Sequence, residues 1–370
     1  MPGKETPLVG LVTPSLGRGG LERMVLDLAL ALPDRGFRVE VLCTAAPGSH
    51  AQLAREAGVE VRDCSPARGA LRIPGVPLRL ARAIVRPPQI LHAHGGAFRA
   101  AAIAALRFRS AKLVFTEHGI EPSGWRGWAD RLCAMRADAI VAVSREVAVA
   151  LEQRLHRPAE IVPNGIDASA IERAGSRREE VRRTLSLNPG ALLVVAIGRL
   201  EPVKDHATLL RAFAIAAREV PTLVLAIAGA GSLEGTLRSQ ATALEVAAKV
   251  RFLGHREDVP ALLRAADLFA ITSLSEGLPL ALVEALAAQL PAIASAIPGN
   301  LDALGTPCAG LVVAAGDHAA LAQALVRLAR DAPLRSDLSS LAGARARAFS
   351  RETMIDRHCL LYERLLAGRR

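Results

Sequence analysis

Short apolar runs alternate with amphipathic stretches along almost the whole chain. Val9 to Thr13, Val39 to Cys43, Val59 to Val61, Ile90 to Ala93, Lys112 to Phe115 and Ala139 to Val143 read as strands, with helical patterns starting at Leu21 and near Gln52. The alternation stops at Val162-Pro163-Asn164-Gly165-Ile166-Asp167, where the charged segment Glu172 to Arg183 follows. It resumes with Leu192 to Ile197, Leu223 to Ala228, Val250 to Leu253, Leu268 to Thr272 and Ala292 to Ser295. Apolar strands separated by helices predict parallel sheets with crossover helices. The expected fold class is therefore α/β, with two Rossmann-like doubly wound domains, residues 1–166 and 167–350. Arg351 to Leu366 sets Met354, Leu360, Leu361, Leu365 and Leu366 among charges, as a surface helix does. Open sheets of this kind bind ligands outside the carboxyl ends of their strands, so two such domains facing each other predict an interdomain cleft.

A hydrophobic content of 51% and a formal charge of +10 over 370 residues exclude a disordered chain and leave room for two cores. No apolar run reaches bilayer-spanning length, and Met1-Pro2-Gly3-Lys4-Glu5 leads straight into a strand, so a cytosolic protein is expected. The five cysteines form no Cys-x-x-Cys pair and read as reduced thiols rather than disulfides or a zinc site. The basic excess is local: Arg62, Arg68, Arg72, Arg79, Arg82, Arg86, Arg99, Arg107, Arg109 and Lys112 face the single acid Asp63. If Pro77 to Val85 is helical, Arg79, Arg82 and Arg86 share one face. Aromatic residues make up 3% of the chain and none interleave with that helix, which argues against nucleic acid. An anionic membrane surface and a plain solvated face both remain as readings.

The most informative window runs from Ser275 through Glu276-Gly277-Leu278-Pro279-Leu280 to Glu284, where a turn breaks into an apolar helix. Pro279 suits the first helical turn, and free amides around Gly277, Leu278 and Leu280 make an anion seat. Glu276 is placed to accept sugar hydroxyls, and Glu284, expected to be buried among leucines and alanines, to accept a ribose. Two glycine-bearing turns follow strands. Ser15-Leu16-Gly17-Arg18-Gly19-Gly20-Leu21-Glu22 lets backbone approach a phosphate through Gly19 and Gly20, and Gly198-Arg199-Leu200-Glu201-Pro202-Val203-Lys204 offers Arg199 and Lys204 as a diphosphate clamp. His94 and His118 end strands and can donate to a hydroxyl, although a structural histidine is the commoner occupant of such a position. No Asp-x-Asp pair exists to bridge a divalent ion, so no metal is expected.

Taken in order, Gly19-Gly20-x-Glu22, His118-Gly119, Pro163-Asn164-Gly165-Ile166-Asp167, Gly198-Arg199-Leu200 with Lys204, and Glu276-Gly277-Leu278-Pro279 with Glu284 resemble the retaining GT-B glycosyltransferases of family GT4, the group 1 type. The resemblance implies an acceptor-side first domain, a donor-binding second domain, and a final helix, about residues 351–370, returning to the first. It implies Arg199 and Lys204 on the diphosphate, Glu276 on the donor sugar, Glu284 on the ribose, His118 near the sugar, and Gly19 and Gly20 near the phosphate. The implied donor is a nucleoside diphosphate sugar, a UDP-sugar ahead of a GDP-sugar, and the acceptor a glycan or lipid-linked hydroxyl. Arg79, Arg82, Arg86 and His94 fall to the acceptor or membrane side. Cell-envelope or exopolysaccharide assembly on the inner face of the membrane is the expected setting. Two departures stand out: Ala288-Gln289-Leu290-Pro291 where the family often has glycine, and Ile297-Pro298-Gly299-Asn300-Leu301-Asp302 where a double glycine and a glutamate are frequent. The alternatives are a GT-B phosphorylase, a nucleotide-sugar epimerase and a noncatalytic nucleotide-sugar-binding partner. A nicotinamide dehydrogenase fits the fold only, since the first glycine loop lacks its spacing.

Overall fold

The computed structural model describes residues 6–17, 19–66, 72–119 and 127–368. The chain folds into two compact units, Met1–Gly165 with Arg351–Arg370, and Ile166–Ser350. Ile166 pairs with Ser350, and its amide donates to Phe349 O at 2.9 Å, so the second unit is entered and left side by side.

In the first unit β1 (Leu8–Thr13), β2 (Arg38–Cys43), β3 (Glu60–Asp63), β4 (Ile90–His94), β5 (Lys112–Glu117), β6 (Ala139–Ala142) and β7 (Glu160–Ile161) form a seven-stranded sheet in the order β3-β2-β1-β4-β5-β6-β7. Every pairing is parallel. The strand order reverses between β1 and β4, which sets a crevice at their carboxyl ends. In the second unit β8 (Leu192–Ile197), β9 (Leu223–Ala228), β10 (Val250–Phe252), β11 (Leu268–Ile271), β12 (Ala292–Ser295) and β13 (Gly310–Val313) form a six-stranded sheet in the order β10-β9-β8-β11-β12-β13, also parallel. Its reversal lies between β8 and β11, where Val194 stands opposite Leu268.

The central strands are apolar throughout because helices cover both faces; Leu193, Val194 and Val195 are wholly buried. Each such side chain contributes about 1.5–3 kcal/mol relative to exposure. The edge strands β7 and β13 are not among the strands expected from the sequence: β7 is two residues long with Ile161 38% exposed, while β13 carries the apolar run Leu311-Val312-Val313 and still lies outside the expected set. The last helix, Arg351–Ala367, packs into the first core through Met354, Ile355, Cys359, Leu361 and Tyr362.

The basic stretch differs from its expected form. The helix runs Arg72–Ala83, so Arg86 lies beyond its end and shares no helical face with Arg79 and Arg82. Pro87 and Pro88 explain the early stop, because the residue before a proline is driven out of the helical region. Arg79 donates to Ser65 O, while Arg62 pairs with Glu40 and Glu60, Arg99 with Asp130, and Lys112 with Asp138, so part of the charge is compensated. Arg18 and Arg68 lie outside the described residues.

Candidate active site

In the second unit the loops after β8 and β11 meet at the sheet reversal. Lys204 ends a short turn, Pro202–Lys204, and its ammonium donates to Glu276 Oε1, which also accepts from Ser273 Oγ at 2.6 Å. Both backbones are fixed. Thr272 Oγ1 donates to Lys204 O and Asp205 O, both at 3.0 Å, and Leu274 N donates to Val203 O at 2.8 Å. Asp205 turns left-handed (φ 47) and caps the helix His206–Glu219 by accepting from Thr208 N. Arg199 is exposed and makes no ion pair among the described residues. The loop after β8 thus carries one cation held on a carboxylate and, five residues earlier, a second, exposed one.

The turn after Glu276 is more enclosed than expected: Gly277, Leu278 and Pro279 are buried and Leu280 is half-buried. The helix is Leu280–Ala287, with Pro279 as its N-cap rather than inside its first turn. Leu282 and Val283 amides close on Pro279 O at 3.0 and 3.1 Å, whereas the Gly277, Leu278 and Leu280 amides have no backbone partner among the described residues. Glu284 is half-buried, on the stripe of Leu280, Ala281 and Ala287, while Leu282, Val283, Ala285 and Leu286 face the core. Its expected burial is corrected, because a helical step of about 100° turns it away from the core stripe.

Several supports escaped the sequence reading. A Cβ at Gly299 would lie 2.5 Å from Glu276 O and 3.0 Å from Gly277 O, so the chain there presses onto the Glu276 turn and only glycine fits. Asn300, wholly buried, donates to Ser295 O and Oγ at 2.9 and 3.0 Å, and Ser295 Oγ donates to Ser273 O at 2.6 Å. Gly231 after β9 packs on Leu200, whose carbonyl O would sit 2.5 Å from a Cβ there. His206 is buried beside Gly198, and burial first, then the Lys204 charge, holds its pKa below the usual value; it stays neutral next to Lys204. Gln289 sits at φ +59, which accounts for glycine being usual at such a site.

The first unit gathers histidines at its own reversal. His92, on β4, bonds Tyr362 Oη at 2.6 Å through Nδ1 and Thr116 Oγ1 at 2.7 Å through Nε2. His94 Nδ1 lies 3.4 Å from His118 Nε2, and Asn164 Nδ2 lies 3.5 Å from His118 Nδ1. His94 is wholly buried, with the neighbouring His92 ring, centroid 4.0 Å away, packed on it. Burial, with smaller repulsion from neighbouring imidazoles, pushes the His92 and His94 pKa values well down and His118 to about 3, and burial, against the Met354 carbonyl and the Glu160 charge, pushes His358 to about 4. His118 is therefore a neutral hydrogen-bonding group at ordinary pH. Its backbone N donates to Glu117 Oε1 at 3.1 Å, and the other Glu117 oxygen pairs with Arg154 at 2.7 Å. At Gly19 the backbone is extended (φ −168) and the flexible Glu22 carboxylate folds over it, so neither torsion nor fixed atoms demand glycine there.

Two family profiles match the chain, "Glycosyl transferases group 1" over residues 177–344 and "Glycosyltransferase Family 4" over residues 18–170. An Escherichia coli UDP-Gal:alpha-D-GlcNAc-diphosphoundecaprenol alpha-1,3-galactosyltransferase is 27% identical over 70% of this chain and 64% of its own length. Other curated relatives are matched over less than half of theirs. A D-inositol 3-phosphate glycosyltransferase of Mycobacterium marinum is 30% identical over 97% of this chain and 85% of its own. The crystal structure of Anabaena HepE in complex with UDP and glucose superposes with a TM-score of 0.83 at 23% identity, covering 97% of this chain and all of that one, and shares the GT-B fold. With both halves matched and a relative aligned over nearly its full length, the chain belongs to the group 1 glycosyl transferases, of the family 4 type.

Proposed function

We propose that this glycosyltransferase moves a sugar from a nucleoside diphosphate sugar, a UDP-sugar ahead of a GDP-sugar, to a hydroxyl on a glycan or lipid-linked acceptor during cell-envelope or exopolysaccharide assembly. The Lys204–Glu276 pair at the sheet reversal of the second unit carries this reading, with Arg199 exposed beside it. Relatives whose names specify UDP-galactose, undecaprenol diphosphate and inositol phosphate chemistry support it. Arg199 and Lys204 take the charge that grows on the diphosphate as the bond from C1 to the phosphate oxygen breaks. Glu276 orients the sugar hydroxyls, Glu284 the ribose, and the free amides after Glu276 the phosphate. The acceptor oxygen attacks C1 on the face the diphosphate leaves, its proton passes to the departing phosphate oxygen, and configuration is retained with no protein nucleophile and no metal. His118, neutral, serves as a hydrogen-bonding group to the sugar.

The test is a panel of UDP- and GDP-sugars scored by the rise in unfolding temperature and then by product anomer with a polyprenyl-diphosphate-linked sugar acceptor. A ligand that binds only the folded state raises apparent stability. Expected is a rise with UDP and at least one UDP-sugar, and an α-linked product from an α-linked donor. Release of sugar phosphate dependent on inorganic phosphate, or donor interconversion without acceptor, overturns the reading.

A further inference from the structure

Helices Arg72–Ala83, Phe98–Ala104 and Gly127–Arg136 pack side by side in the first unit and leave an unusual outer surface. Large apolar side chains stand in solvent there: Leu78 and Val85, Leu106, and Trp128, Leu132 and Met135, the last three 62%, 58% and 78% exposed. Trp128, Leu132 and Met135 follow each other at spacings of four and three, so they form one stripe along their helix. The stripe borders a shallow depression of about 490 Å³ shared with Arg131, Leu155, His156 and Arg157.

The charge on this layer has one sign. Arg79, Arg82, Arg86, Arg107, Arg109 and Arg131 are exposed. Arg131 donates to Arg154 O and Arg157 to Ala134 O and Ala137 O, so these guanidiniums are held by neutral carbonyls, and neither has a carboxylate partner among the described residues. The one acid on the three helices, Asp130, is buried and paired with Arg99. An apolar stripe with an indole, ringed by cations and lacking exposed acids, matches the two-part character of an anionic bilayer surface, where apolar side chains enter the acyl boundary and arginines meet lipid phosphates.

We propose that the outer layer of these helices docks the first unit on an anionic lipid surface, with Trp128, Leu132 and Met135 inserted and the arginines on the head groups. The anchor is thus apolar as well as electrostatic, and it stands independently of the sugar-transfer reading.

The test uses the full chain carrying Trp125→Phe, which leaves Trp128 as the only tryptophan, with vesicles of phosphatidylcholine alone or with 30% phosphatidylglycerol, a composition chosen for the assay as roughly that of a moderately anionic membrane. Expected are binding to the anionic vesicles, a blue shift of Trp128 emission, and its quenching by lipids brominated high on the acyl chain. The variant Trp128→Ser/Leu132→Ser/Met135→Ser should bind at least about tenfold more weakly, and Arg79→Glu/Arg82→Glu/Arg86→Glu should lose preference for the anionic vesicles. Salt should weaken wild-type binding without abolishing it. Unquenched Trp128 in bound protein overturns the proposal even if the triple serine variant fails to fold. So does equal binding by wild type and variants, or a concentration-dependent dimer that the serine variant abolishes and that excludes vesicles.

Discussion

Lys204 and Glu276, 72 positions apart in sequence, are held together at the carboxyl ends of β8 and β11, and the loop after β11 anchors both: Thr272 grips the Lys204 carbonyl, and Ser273 donates to the Glu276 carboxylate. Their side chains are 19% and 11% exposed, enough enclosure to fix the geometry and enough access to meet a ligand. In the proposed function the pair prepositions a cation for an arriving diphosphate. When the phosphate enters, Lys204 gains a second anion and Glu276 gains lone pairs free for hydroxyls.

Lys204→Ala and Arg199→Ala are each expected to lower kcat by on the order of a hundredfold, the usual cost of one donor to developing charge. Initial rates at saturating donor measure this. Rates within threefold of wild type for both would remove the clamp.

Glu276→Ala and Glu284→Ala should differ in kind. In the proposed assignment Glu276 contacts the sugar whose charge changes during transfer, so kcat is expected to fall. Glu284, half-buried on the following helix, is assigned there to a ribose bound alike in ground and transition states, so its loss is expected mainly in donor KM. Identical kinetic signatures for the two variants would withdraw the assignment.

Gly299→Ala is expected to act at a distance from its own side chain. A Cβ 2.5 Å from Glu276 O cannot be accommodated without moving the Glu276 turn, since the obstacle is backbone. Overpacking of this kind costs about 1–3 kcal/mol, and the displaced turn should raise donor KM as well. Urea melts and donor titrations read the two effects separately; an unchanged KM with lowered stability would place Gly299 outside the site.

Activity should survive chelation with EDTA. In the proposed mechanism the fixed cations at 199 and 204 take the role that a bridging divalent ion has elsewhere. Loss of activity in EDTA with rescue by magnesium or manganese is the contrary outcome.

The strands were legible because buried parallel strands write themselves as apolar runs: β8, β9 and β12 have the bounds their hydrophobic residues suggest. Edge strand β7 was not, since two residues with Ile161 partly exposed make no run, and β13, despite its apolar Leu311-Val312-Val313, is missing from the expected strands. At the site, the residues that read as functional were charged or glycine residues at strand ends. Their supports Thr272, Ser273 and Ser295 were invisible, and Gly299 and Asn300 stood out only as a departure from the family pattern, because a serine or glycine becomes informative only once long-range packing shows what it touches. The same holds for His94, which looked like a ligand-facing strand end and proved to be buried by His92 and His118. Glu284 shows the converse: an apolar neighbourhood in sequence does not bury a residue that the helical step places on the half-exposed side.

The histidine cluster makes stability depend on pH in a defined direction. His92, His94 and His358 are buried with depressed pKa values, His358 to about 4, against a usual value near 6.5 in the unfolded chain. A histidine depressed in the folded state binds its proton first on unfolding, so its contribution is fully present above about pH 6.5 and is lost as pH falls toward the folded value. Each such group tilts the stability curve by about 1.4 kcal/mol per pH unit in that window. Glu40 works in opposition: burial raises its pKa from 4.5 to about 7, so between those values the folded state holds a proton the unfolded state lacks, and stability falls as pH rises. With His118 and His206 also lowered, five histidines stand against one carboxyl, and the histidines dominate between about pH 4.5 and 6.5. Urea unfolding midpoints should therefore drop from pH 7 to pH 5, and His358→Gln should flatten the slope while Glu40→Gln steepens it. A wild-type midpoint that stays level or rises over that interval would show that these imidazoles are not held neutral in the fold.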